Sequence, residues 1–159
     1  MRRARNAAAA IAAVALASPP GAGAQQAASD PVLNRYGGSC AKLVVGGDDL
    51  SAGCVGIVLH GAYRDGRASF TLVSPKLWVI FAGNDAAVGD HRVTTVRYVI
   101  TTAIAPGAEK KPEPVVHPGM GTCVYGALTG VATIDCDGTA DGKPFAVRFR
   151  TDGQPPVAS

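Results

Sequence analysis

Charge is scarce in this chain of 159 residues: 17% of it is Asp, Glu, Lys or Arg, and aromatic residues make up 6%. Glutamate occurs only at Glu109 and Glu113, and leucine is sparse. Helices lean on Leu, Glu, Lys and Ala, so this poverty disfavours them and leaves short strands joined by glycine turns. No segment offers the roughly 20 consecutive apolar residues that a membrane-spanning helix needs. The cysteines include no C-x-x-C redox motif and no closely spaced pair of the zinc type. Glycine-rich phosphate loops leading into a helix are absent, as are G-x-S-x-G and H-E-x-x-H. These gaps leave no expectation of a cofactor or a metal ion.

What is present begins with an export signal. Arg2, Arg3 and Arg5 form a positive start, Ala7 to Ala17 form an apolar stretch, and Pro19, Pro20 and Gly21 break it. Ala22-Gly23-Ala24 then supplies the small residues that signal peptidase accepts, so residues 1–24 read as a cleavable leader. The expected location is periplasmic or secreted, with no membrane insertion after cleavage. The leader also carries the charge imbalance. Of 15 basic residues three are in it, leaving 12 against 12 acidic ones. A neutral mature chain gives no reason to expect a nucleic-acid partner.

The mature length of about 135 residues suits one domain with its own core. Residues 25–38 are polar, small and turn-rich and read as a flexible N-terminal arm, 39–152 as a single β domain, and 153–159 as a frayed tail. Strands are expected at 41–45, 54–59, 67–73, 77–82, 92–104, 122–128, 130–135 and 144–150. The alternation of Ala68, Phe70 and Leu72 against Arg67, Ser69 and Thr71 marks a half-buried strand, and the β-branched density of 92–104 excludes a helix there. About eight short strands predict an all-β fold, a small antiparallel sandwich or alternatively a small barrel. Residues 105–121, with Pro106, Pro112, Pro114 and Pro118, read as a long surface loop, because proline at that density opposes sheet pairing.

Cys40, Cys54, Cys123 and Cys136 are an even set in an exported chain, so two disulfides are expected. Four cysteines allow three connectivities. Both halves read Cys, strand, turn, strand, Cys, followed by an Asp-Gly-basic turn at Asp65-Gly66-Arg67 and at Asp141-Gly142-Lys143. That suspected repeat favours Cys40–Cys54 and Cys123–Cys136, each closing a loop of about 15 residues worth up to ~3 kcal/mol in the chain-entropy model.

Chemistry-bearing residues are few. His60, His91 and His117 show no ligand spacing, and each reads first as a strand-end, turn or loop residue. The acidic cluster around Asp135, Asp137 and Asp141 departs from a calcium loop, with Ala140 and Ala146 at the places that need Gly and Glu. Scattered Tyr36, Tyr63 and Tyr125 make no stacking platform. The sequence therefore leans against an enzyme and towards a binding or structural module for a protein or small-molecule ligand. The 105–121 loop, with Lys110, Lys111 and His117, and an exposed sheet edge are the expected contact surfaces. Two alternatives stand: a small hydrolase built on His60, Asp90 and His91, and a protease inhibitor presenting Lys110-Lys111.

Overall fold

The computed structural model describes residues 30–105, 107 and 112–159. The leader, residues 25–29 and Lys110-Lys111 lie outside the described residues. Ten strands follow in order: β1 (Val32–Val45), β2 (Asp48–Asp49), β3 (Ile57–Ala62), β4 (Arg67–Val73), β5 (Leu77–Val88), β6 (His91–Ala103), β7 (Val115–Tyr125), β8 (Thr133–Ala140), β9 (Lys143–Thr151) and β10 (Val157–Ala158). A short 3-10 turn, Ser51–Gly53, lies between β2 and β3.

Of the two expected architectures the closed barrel is the one formed. Each long strand pairs antiparallel with the next, β3 through β9, and β1 pairs with both β3 and β9 to close the ring. β1 divides its length between these partners. Val32–Gly37 face β3, and Gly38–Val44 face β9 along a seam from Gly38 opposite Thr151 to Val44 opposite Ala146. Closure pairs β3 to β9 on both sides, and of the sheet edge expected as a contact surface there remains the stretch of β1 beyond Gly37 on its β3 side, with the two-residue strands β2 and β10 as extra pieces.

Side chains fill the interior. Phe70, Phe81, Phe145, Phe149, Leu43, Leu72, Val58, Val79, Val99 and Val147 are fully buried and share one core. Gly121 on β7 and Gly138 on β8 stand opposite each other, and a Cβ on either would meet the Phe145 ring at 2.7 or 2.6 Å. The two glycines thus make room for an aromatic ring inside a narrow barrel, which is close packing rather than a ligand cavity.

Three boundaries differ from the sequence reading. Residues 32–38, expected in the loose arm, are the first half of β1. Gly37-Gly38 reads as flexible in sequence, but a Cβ at Gly38 would stand 2.1 Å from the Arg150 carbonyl oxygen, so glycine there allows close strand approach. The tail is pinned where Val157 and Ala158 pair with Arg35 and Asn34. The Pro-rich loop is shorter, because β7 starts at Val115. Pro118 sits within that strand opposite Tyr98, beside a bulge where Gly119 and Met120 of β7 face the single residue Arg97 of β6, and where a missing amide is tolerated. In consequence the strands expected at 122–128 and 130–135 are the end of β7 and the start of β8.

Both disulfides are the local pairs. Cys123–Cys136 joins directly opposed residues of β7 and β8 with Cα atoms 4.0 Å apart. Cys40–Cys54, 5.8 Å between Cα atoms, ties β1 to the segment entering β3. Two intramolecular disulfides fit an oxidising compartment. Among the described residues no helix is long and apolar enough to cross a membrane.

Candidate functional site

The barrel has two ends of different chemistry. At the first, strand phase turns polar side chains inward. Asp85 on β5 follows the inward Val79 and Phe81, and Arg92 and Thr94 on β6 precede the inward Val96. The Asp85 carboxylate, 6% exposed, accepts hydrogen bonds from Tyr125 Oη at 2.9 Å, Thr94 Oγ1 at 3.0 Å and Arg92 Nε at 2.8 Å, and it pairs with Arg92 Nη2 as well. Arg92 Nε also donates to Tyr125 Oη at 3.3 Å. Burial, together with donation to Asp85, pushes the Tyr125 phenol up to about 12, against the pull of Arg92. Hydrogen bonding to Asp85 and Tyr125 raises Arg92 further above its ordinary value.

His60 lies beside this cluster, its ring stacked on Phe70 at 4.9 Å and edge-on to Tyr125 at 5.6 Å. Its Nε2 is buried without a hydrogen-bond partner, and desolvation lowers its pKa despite the nearby Asp85 charge. A carboxylate already holding four donors has no free face for substrate. The cluster acts as a polar seal whose members satisfy one another, with His60 the exception.

At the second end, His117 on β7 bridges two neighbours. Its Nδ1 lies 2.7 Å from Asp141 Oδ2 and its Nε2 lies 3.1 Å from Thr101 Oγ1 on β6. Turn chemistry places the carboxylate: Asp141 and Gly142 both have positive φ, 49° and 75°, as a two-residue hairpin of type I′ requires. The Asp141 amide donates to the Pro118 carbonyl at 3.1 Å, holding the turn against β7. The pattern of hydroxyl, imidazole and carboxylate matches that of an activated nucleophile. Thr101 is paired within the sheet on both sides, to Val79 and Val115. The adjoining recess, about 140 Å³, is lined by Val45, Gly46, Val99, His117, Ala140, Asp141 and Lys143, without Thr101. The trio is a clasp fastening β6, β7 and the β8–β9 turn across the barrel mouth.

The histidines and aspartate expected to form a hydrolase site are not brought together. His60 faces inward from β3, whereas Asp90 and His91 pair with each other at 3.3 Å in an exposed turn, with β4 and β5 between β3 and β6 in the sheet. His117, expected in a loop, lies in β7. The acidic residues near the second disulfide pair instead with Arg148, whose Nη2 donates to Asp137 and whose Nε lies 3.6 Å from Asp135. Among the described residues no group of three or more His, Cys, Asp or Glu side chains could hold a metal ion.

The third feature lies on the outer wall. Residues alternate with the buried Val79, Phe81 and Val99, so Trp78, Ile80, Tyr98 and Ile100 face outward. Their registers form adjoining rows: Trp78 beside Thr102, Ile80 beside Ile100 beside Val116, and Ala82 beside Tyr98 beside Pro118. Trp78 is 46% exposed and Met120, farther along β7, is 77% exposed. A groove of about 600 Å³ continues the patch past Trp78, between Thr102–Ala105 and Pro112–Pro114. The sequence hides this surface because the continuous apolar run 77–82 carries no alternation to mark which face turns outward. The signal present was Tyr98 and Ile100 on one phase of β6 and Val116 on β7. No protein-family model, no curated protein and no solved structure matches the chain.

Proposed function

We propose that the protein is an exported β-barrel binding module, periplasmic or secreted, that engages a protein partner through the outer face of β5–β7 and the adjoining groove. The leader at 1–24 and the two disulfides support export. The observation that carries the binding reading is the adjoining outward-facing apolar rows on one wall of an otherwise closed barrel, with Trp78, Tyr98, Val116 and Met120 exposed. Isolated exposed apolar residues are ordinary, but adjoining ones on three neighbouring strands mark an interaction surface. The rows from Trp78 to Pro118 contain no formal charge, which suits the apolar core of a protein interface and not a polyanion. Trp78, Tyr98 and Met120 are of the residue types enriched at such cores. The filled interior speaks against a ligand carried within the barrel.

A photo-crosslinking residue at position 98 tests the reading in the exporting cell. It should capture a discrete protein partner, and Trp78→Glu combined with Met120→Glu should abolish that capture while the circular dichroism of the barrel is unchanged. Equal capture by the double variant, or by a crosslinker at Arg150 instead of position 98, would refute the assignment of this face.

A further inference from the structure

The two disulfides occupy opposite environments. Cys123 and Cys136 are fully buried between paired strands in the core. Cys40 and Cys54 are only partly buried at the rim of that core, and Cys54 belongs to no strand or helix. The segment that Cys54 anchors fills a break in the wall. β3 pairs with β1 only up to Gly37 opposite Ile57, so along Gly38–Leu43 that edge of β1 has no strand beside it. Residues 46–56 turn back over this stretch instead. Besides the disulfide they are held by Leu50 N to Leu43 O, Ser51 Oγ accepting from Leu43 N, Gly38 N to Gly56 O, Val55 N to Val73 O and Gly47 N to Pro144 O, and by the pairing of β2 with Val44 and Val45.

We propose that Cys40–Cys54 is a thiol–disulfide exchange site, opened by a dithiol reductant while Cys123–Cys136 stays closed, and that opening releases residues 46–56 from the β1 edge. Exchange needs access for an incoming thiolate in line with the sulfur–sulfur bond, which partial burial permits at the first pair and the packed core denies at the second. A reductant thiolate attacks Cys54 Sγ, in the non-strand segment, and the sulfur–sulfur bond breaks to leave a Cys40 thiolate that takes a proton from water. The second thiol of the reductant then attacks its own sulfur in the mixed disulfide and releases Cys54. The balance is one protein disulfide reduced to two thiols and one dithiol oxidised to a disulfide. What opens is an unpaired strand edge, a surface to which an extended peptide can add by backbone hydrogen bonding.

The test is graded reduction of the native protein with dithiothreitol, with timed alkylation read by mass spectrometry. Cys40 and Cys54 should be alkylated at least tenfold faster than Cys123 and Cys136 while the far-ultraviolet circular dichroism stays native. Hydrogen exchange should then quicken at Leu43, Leu50 and Val55 and stay slow across β7 and β8. Simultaneous loss of both disulfides, reduction of Cys123–Cys136 first, or no reduction before the barrel unfolds would each overturn the proposal. So would selective reduction without faster exchange at those three amides.

Discussion

The two ends of the barrel solve one problem by different means. Each must close a ring of strands whose inward side chains run out of apolar partners. The end at Asp85 buries a carboxylate and surrounds it with Tyr125, Thr94 and Arg92; the end at His117 spans the mouth with a clasp whose carboxylate, Asp141, stays largely in solvent. Burial is what separates them. The first depends on every member being present, because an unpaired polar group away from water costs more than a hydrogen bond gains. The second loses only a solvent-screened contact when a member is removed. The groove continuing the apolar outer face also lies at the second end, between the β6 terminus and Pro112–Pro114, so the more forgiving end is the one bordering the proposed contact surface.

The largest expected effect comes from removing the centre of the seal. Asp85→Ala should lower the unfolding free energy in urea by about 2–3 kcal/mol, less than a fully buried pair would cost because Arg92 is 51% exposed. A loss below about 1 kcal/mol would make the two ends equivalent.

Next come the two pH limbs of stability, both belonging to the seal. Tyr125 releases its proton at about 12 in the folded chain and near 10.0 when unfolded. Above pH 10 the unfolded state therefore loses more protons, and stability falls until about pH 12, by on the order of 2 kcal/mol. Tyr125→Phe should remove most of this limb, leaving a remnant from Tyr36, which burial also raises. His60 has the opposite sense. Its folded pKa lies below the unfolded 6.5, so the unfolded state binds the proton first and stability falls as pH drops below 6.5, levelling at the folded value. His60→Phe should flatten that limb and, by removing the orphaned Nε2, cost little at neutral pH. Thermal unfolding followed from pH 4 to 11.5 measures both.

The smallest effect belongs to the clasp. His117→Gln or Asp141→Asn should cost about 0.5–1 kcal/mol. A loss as large as that of Asp85→Ala would mean that the clasp, not the seal, carries barrel closure.

How far the sequence foretold this depends on the range of the interaction. Strand phase is local, so Phe70 and Leu72, or Phe145, Val147 and Phe149, were legible as inward residues from alternation alone. The local disulfides were legible from the similar halves, although their settings differ: one bridges directly paired strands and the other ties down a connecting segment. The seal was not legible as a unit, since Asp85, Arg92 and Tyr125 meet only once three strand registers are set. A partial signal existed, because Asp85 shares the phase of Val79 and Phe81 and Tyr125 that of Cys123. A polar residue on an inward phase deserved to be read as a partner in search of others. The choice of barrel over sandwich rests on the pairing of β1 with β9, and nothing within either strand reports the register of the other.

That seam sets the order in which the chain can finish folding. Gly38 meets Thr151 and Val44 meets Ala146, so the first long strand waits for the last. A polypeptide emerging from its amino terminus can zip β3 to β4, β4 to β5 and onward as neighbours appear, each step local. The ring stays an open ribbon with an adhesive margin at both sides until residues 143–151 arrive. Among the long strands closure is therefore the step of greatest chain separation and the slowest by loop entropy. A chain stopped short of Lys143 would hold two free margins at once, the form in which β ribbons join to copies of themselves.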